Sequence, residues 1–174
     1  SNIYTISNKT GGLTIQKIDS ETGKAVSGAV LEIRNSSGDL VKTVTTTDTP
    51  TVVSDLSDGT YKIVETDTPD GYIKSDKEYE VTISSSNPNP SVTIENRPII
   101  VTLGKIDART GDYIAGAKMR LSRLDGEMTP ITFVSTASPY KVERLVPGIY
   151  SLEEIEAPSG YVGTVSKVTF RVLE

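Results

Sequence analysis

Three stretches of this chain occur twice, in the same order. Leu13-Thr-Ile-Gln-Lys-Ile-Asp-Ser-Glu-Thr-Gly23 returns as Val101-Thr-Leu-Gly-Lys-Ile-Asp-Ala-Arg-Thr-Gly111, and Gly28-Ala-Val-Leu-Glu-Ile-Arg34 as Gly116-Ala-Lys-Met-Arg-Leu-Ser122. Tyr61-Lys-Ile-Val-Glu-Thr-Asp-Thr-Pro-Asp-Gly-Tyr72 returns as Tyr150-Ser-Leu-Glu-Glu-Ile-Glu-Ala-Pro-Ser-Gly-Tyr161. The offset is 88 residues from Lys17 to Lys105 and 89 from Glu65 to Glu154, so two copies of one domain are present. Within each copy, short alternating runs of Val, Ile, Thr and Tyr are punctuated by Gly, Pro, Ser and Asp. That pattern predicts about seven short strands per copy and an all-β chain. Ser37-Gly38 and Asp125-Gly126 mark hairpins, and the expected architecture is a two-sheet sandwich.

Strand parity then exposes an anomaly. Lys17 follows Leu13 and Ile15, Glu65 follows Tyr61 and Ile63, and Asn96 follows Val92 and Ile94, each on the parity of its segment's large apolar residues. An amine, a carboxyl and a carboxamide are therefore expected in one dry interior. A lone buried Lys or Glu costs several kcal/mol unless paired or neutralised, which makes three aligned cases improbable as accidents. Burial disfavours charge, so Lys17 is expected to shift toward the neutral amine and Glu65 toward the neutral acid. A neutral amine is a nucleophile, and a protonated Glu65 can polarise the Asn96 carbonyl and pass a proton to departing ammonia. The alternatives are that Lys17 snorkels to solvent from a strand end, or that Lys17 and Glu65 form only an ion pair.

Composition removes other chemistries. The chain of 174 residues has no Cys, which excludes disulfides and thiolate nucleophiles, and no His, which excludes Ser-His-Asp catalysis and the commonest zinc sites. No metal site and no cofactor are expected. Asp19 and Asp107, each followed by x-x-Thr-Gly, read as Asx turns more readily than as metal loops. Net charge is −5 with no basic stripe, so nucleic acid is not an expected partner. No apolar run approaches membrane-spanning length, and no membrane partner is expected.

The two copies differ in phase. The first runs over residues 11–97 and ends with Ser91-Val-Thr-Ile-Glu-Asn96; the second, over 98–174, ends with Ser166-Lys-Val-Thr-Phe-Arg-Val172 and lacks its last strand. No Asn follows Asn96, so Lys105 and Glu154 form an orphan half-site, in which Glu154 is the acid of an incomplete site. Residues 1–10 contain Tyr4-Thr-Ile-Ser-Asn8, which reads as the closing strand of a preceding domain, after a Ser1-Asn2 that reads as a tag remnant. The four residues between Asn8 and Leu13 span at most roughly 15 Å, too short to carry that strand past the first domain. Strand exchange between molecules through residues 3–8, with Asn8 as donor to Lys105, is a further expectation.

Lys in Lys-Ile-Asp, Glu followed by x-x-x-Pro-x-Gly-Tyr, and a closing Val-Thr-Ile-x-Asn together resemble the Cna B-type (SpaA-like) domains of Gram-positive surface adhesins and sortase-assembled pilins. The resemblance covers nearly the whole chain. It implies tandem prealbumin-like, or inverse immunoglobulin-like, β-sandwiches and a spontaneous Lys–Asn isopeptide bond assisted by a buried acid, here Lys17, Asn96 and Glu65. The implied role is a structural stalk module outside the cell, anchored to the cell wall, whose partners are neighbouring domains of the same surface protein. A ligand-binding module that recognises host matrix or glycan through its loops is the alternative, and a turnover enzyme is disfavoured.

Overall fold

The computed structural model describes residues 3–5, 10–163 and 166–174. Among them are fourteen strands and no helix: β1 (Gly11–Asp19), β2 (Val30–Arg34), β3 (Leu40–Thr45), β4 (Thr51–Leu56), β5 (Gly59–Asp67), β6 (Tyr72–Ile73), β7 (Tyr79–Ile83), β8 (Ser91–Pro98), β9 (Ile100–Leu103), β10 (Lys118–Arg123), β11 (Ile131–Val134), β12 (Tyr140–Glu143), β13 (Gly148–Glu156) and β14 (Lys167–Val172). The chain divides into two compact units, Ser1–Pro69 with Ile73–Arg97, and Asp70–Tyr72 with Pro98–Glu174.

In the first unit, one sheet has the order β4-β1-β8-β6 and the other β3-β2-β5-β7. Alternation along β1, β2, β5 and β8 sends Leu13, Ile15, Leu31, Ile33, Tyr61, Ile63 and Ile94 into a common core, where they are joined by Val53, Leu56 and Ile83. This is the inward face that period-two patterning demands of a sandwich. β1 and β8 are parallel neighbours at the centre of their sheet, with Ile15 opposite Val92, Lys17 opposite Ile94 and Asp19 opposite Asn96. Their side-by-side position brings the ends of the two strands together.

The second unit repeats the second sheet faithfully, as β11-β10-β13-β14, while the first sheet is reduced among the described residues to the pair β12-β9. The expected seven strands per copy thus become eight in the first unit and six in the second. Ile3–Thr5 form no strand, and Ile3 and Tyr4 are exposed; the remainder of the expected strand, including Asn8, lies outside the described residues.

Turn chemistry follows the sequence. The Asn35 side chain accepts the Ser37 and Asp39 amides, and Gly38 takes a φ of 86° that closes the β2–β3 hairpin. A pair of buried hydroxyls went unread in the sequence. Thr46 donates to the Val26 carbonyl at 2.8 Å and accepts the Ala29 amide at 3.0 Å, and Ser135 does the same with Ile114 at 2.7 Å and Ala117 at 3.0 Å. Each satisfies backbone groups that the Gly-Ala entry to β2 or β10 would otherwise leave unpaired.

Leu31 is fully buried at the centre of the first core. Leu31→Ala is expected to destabilise that unit by about 2–5 kcal/mol, read as a lowered urea midpoint with unchanged strand content by circular dichroism.

Candidate functional site

Lys17 near the end of β1, Glu65 near the end of β5 and Asn96 near the end of β8 meet inside the first unit, exposed by only 3%, 4% and 1%. The sandwich accounts for the meeting. β1 and β8 contribute from one sheet and β5 from the facing one, and all three side chains continue inward-facing rows of apolar residues. Lys17 Nζ donates to Asn96 Oδ1. Asn96 Nδ2 donates to Glu65 Oε1 at 2.9 Å, and the same oxygen lies 3.6 Å from Lys17 Nζ. One carboxyl oxygen therefore stands within reach of both nitrogens.

The second oxygen fixes that placement. Glu65 Oε2 accepts the Ser75 amide at 3.1 Å, a contact from the segment after β6 that no sequence signal identified. The backbone holds the other two residues: the Ser20 amide donates to the Asn96 carbonyl at 3.0 Å, and the Val26 amide to the Lys17 carbonyl at 2.9 Å. Burial pushes the Lys17 amine below the ordinary lysine range, against the opposing pull of Glu65. The alternative in which Lys17 snorkels fails, because no water-facing route is open to a side chain 1% exposed. The ion-pair alternative does not account for Asn96, which bridges the amine and the carboxyl.

Asp19 and Asp107 form the expected Asx turns. Asp19 Oδ1 accepts the Glu21 and Thr22 amides at 2.8 and 3.0 Å, and Asp107 Oδ1 accepts those of Arg109 and Thr110 at 2.8 and 3.3 Å. The Arg109 amide is the main cause of an Asp107 carboxyl held below the usual carboxylate range. In Pro69-Asp-Gly-Tyr72 and Pro158-Ser-Gly-Tyr161, both glycines have φ of 86°, as turns of this kind require. The Tyr161 ring that follows the second of these turns is 48% exposed. In the second unit, Lys105 Nζ lies 2.8 Å from Glu154 Oε2, so the structure pairs the orphan residues.

The family described as "SpaA: Prealbumin-like fold domain" matches residues 11–98 and again 100–174. The chain belongs to this family. Among curated proteins, the SpaA-type chain is 28% identical over 174 residues to serine-aspartate repeat-containing protein D of Staphylococcus aureus (strain Newman), covering 84% of this chain and 13% of that protein. It is 27% identical over 170 residues to serine-aspartate repeat-containing protein F of Staphylococcus epidermidis, covering 84% of this chain and 10% of that protein. The chain thus spans about a tenth of the length of these relatives. Among solved structures, the Bacillus anthracis TIE protein superposes with a TM-score of 0.56 at 22% identity, over 95% of this chain and 32% of that one. A C-terminal fragment of the pilus adhesin SpaC from Lactobacillus rhamnosus GG gives a TM-score of 0.56 at 20% identity, over 94% of this chain and 83% of that one. These two likenesses show the SpaA-type fold.

Because the folded SpaA-type unit holds the Lys17 amine below the ordinary lysine pKa, the unfolded chain binds more protons between the lowered value and about 10.5. Stability from this group is absent below the lowered value, rises through that window and is complete above it. Asn96→Ala, which leaves the amine free, is therefore expected to gain stability between pH 7 and pH 10 relative to the double variant Lys17→Met/Asn96→Ala. The difference between their urea midpoints measures it.

Proposed function

We propose that this chain is a structural stalk segment of a cell-wall-anchored adhesin or pilin on a Gram-positive bacterium, built from domains at 11–97 and 98–174. Its first domain is locked by a self-formed isopeptide bond between Lys17 and Asn96. The observation that carries this reading is the position of Glu65 Oε1, 2.9 Å from the nitrogen that must leave and 3.6 Å from the nitrogen that must attack. Family membership and the pilus-adhesin fold likeness support the surface role, and partners are then neighbouring domains of the same protein.

In the reaction, the neutral Lys17 Nζ attacks Asn96 Cγ. The Nζ–Cγ bond forms, the Cγ–Nδ2 bond breaks, and Nδ2 leaves as ammonia. The proton that Nζ loses reaches Nδ2 through Glu65, whose Oε1 lies 3.6 Å from the one nitrogen and 2.9 Å from the other and which ends as it began. Amine and amide are already in contact, so the encounter that makes aminolysis slow in water has been supplied by folding. The dry surroundings favour the uncharged nucleophile. Nothing turns over: the product is the protein itself, altered once.

The mechanical consequence follows from the parallel pairing. Tension enters the unit through β1 and leaves through β8, so without a bond it would shear those two strands apart. A link from Lys17 to Asn96 sends the force along β1, across one amide and out, bypassing residues 18–95. The same link closes a loop of 79 residues, and the loop-entropy estimate gives about 4–5 kcal/mol of stabilisation.

Intact-mass measurement is expected to find the wild-type chain lighter than its sequence by one ammonia. Lys17→Ala, Asn96→Ala and Glu65→Ala are each expected to restore the full mass and to lower stability by several kcal/mol. A wild-type mass equal to that of the sequence would falsify the bond.

A further inference from the structure

On one side of the first unit the outermost strands are β6 in one sheet and β7 in the other, and residues 74–78 cross between them. Beside that crossing is a pocket of about 280 Å³. β8 lends it Glu95 and Arg97, which alternate with buried Ile94 and Asn96 and so stand on the exposed parity. The crossing lends Lys74 and Lys77, and the Lys77 ammonium rests 4.6 Å from the centroid of the Tyr79 ring, which also lines the pocket. Three cations are thus gathered against one carboxylate, in a chain whose net charge is −5. Among the described residues, none of the three is in an ion pair. The crossing's own acids do not neutralise them: Glu78 is engaged by Lys62 at 2.9 Å, and Asp76 is not part of the lining. Gathered like charges repel, and an anion entering the pocket removes that repulsion. The backbone beneath the cations is already fixed, since the Ser75 amide is held on Glu65 Oε2 at 3.1 Å and Tyr79 is paired with Ile63 across β5 and β7. A ligand therefore does not have to order the crossing in order to bind.

We propose that this pocket binds a sugar residue carrying a carboxylate or a sulfate, as one unit of an anionic glycan. Charge selects the anion: Arg97 offers a planar fork that matches either group, and Lys74 and Lys77 add two point charges. Size selects a single ring. The pocket exceeds what a bare sulfate or phosphate fills and falls just below the roughly 300–1,000 Å³ of sites that take drug-sized molecules. Glu95 and the Ser75 hydroxyl select the rest of the ligand, because a carboxylate inside an anion site repels a ligand that is anionic throughout and accepts hydrogen bonds from one that also carries hydroxyls. A run of phosphates or of acidic side chains brings no hydroxyl donors to Glu95; a uronate or a sulfated sugar does. The inference goes beyond the stalk role, which needs no ligand, and does not depend on the Lys17–Asn96 bond.

The test titrates the intact, isotope-labelled chain with four probes, followed by amide chemical shifts: a sulfated heparin oligosaccharide, a hyaluronan oligosaccharide whose only anion is carboxylate, a neutral chitin oligosaccharide and an oligo-aspartate peptide. One or both anionic sugars are expected to shift the amides around Ile73, Ser75 and Arg97, with an affinity that falls as salt is raised. Which of the two binds identifies the anionic group. Lys74→Gln/Arg97→Gln is expected to weaken binding by about tenfold or more, whereas Lys24→Gln/Lys42→Gln, which removes two exposed lysines outside the pocket, leaves it unchanged. Glu95→Gln is the discriminating variant. It is expected to weaken binding by roughly threefold or more, through loss of the hydroxyl acceptor; attraction of a polyanion to positive charge alone predicts tighter binding instead. The proposal is overturned by no shifts at millimolar sugar, by shifts centred elsewhere, by equal loss in the two double variants, or by tighter binding in Glu95→Gln. Equal binding of the neutral sugar overturns it too, and a preference for oligo-aspartate reassigns the pocket to an acidic peptide and overturns the sugar.

Discussion

The amine of Lys17, withdrawn from water between Glu65 and Asn96, is the contact on which the first unit is organised. An isolated ammonium in that position would cost several kcal/mol, more than a domain of this size can spare from its net stability. Three features make the position tolerable: burial displaces the amine toward its neutral form, the carboxyl lies 3.6 Å away, and the carboxamide accepts its hydrogen bond. Each depends on a different strand. The site therefore exists only when β1, β5 and β8 are all in register, and the sandwich is a condition of its chemistry.

The two units separate scaffold from site. Both keep the sheet built around β2 or β10, the buried hydroxyl of Thr46 or Ser135, and the Asx turn after the lysine. Both keep the Lys and the Glu. What differs is the strand beside β1, and with it the environment of the amine: sealed in one unit, partly wet in the other. The same Lys–Glu pair is thus sealed against a carboxamide where a strand covers it and a partly exposed ion pair where, among the described residues, none does. The lysine and the acid are the same residue types in both, so what separates the two conditions is the covering strand and the asparagine it carries.

Much of this was legible before any coordinates. The repeat gave two units, alternation gave the strands, and parity placed Lys17, Glu65 and Asn96 inward, because a period of two leaves no other face for a residue that shares its row with Ile15, Ile63 or Ile94. That β9 pairs only with β12 among the described residues was legible as a difference of phase between the copies. Less legible were contacts made by backbone. The Ser75 amide that orients Glu65 carries no side-chain signature, since any residue but proline can donate from that position. Thr46 and Ser135 were missed for a related reason: a single hydroxyl among many Thr and Ser residues shows its burial only once the Gly-Ala strand entry has folded against it. The Pro-x-Gly-Tyr motif likewise fixes only the backbone, and the Tyr161 ring is left partly in solvent beside a pocket, a placement the motif does not specify.

The order of events also follows from topology. Asn96 sits on the last strand of its unit and Lys17 on the first, so their contact has a sequence separation of 79 residues and carries a large closure entropy. Contacts of this kind form late, after the β2–β3 and β2–β5 antiparallel pairs have built a sheet for β1 and β8 to cover. A bond between Lys17 and Asn96 therefore cannot guide folding, and it can form only in a chain whose register is already correct. A slip of one residue in β8 would turn Asn96 to the outer face and expose Ile94 with it. The proposed crosslink would then record correct assembly as well as reinforce it: only a molecule that has closed its sandwich would acquire the link, and shearing β8 from β1 would no longer separate the ends of the unit.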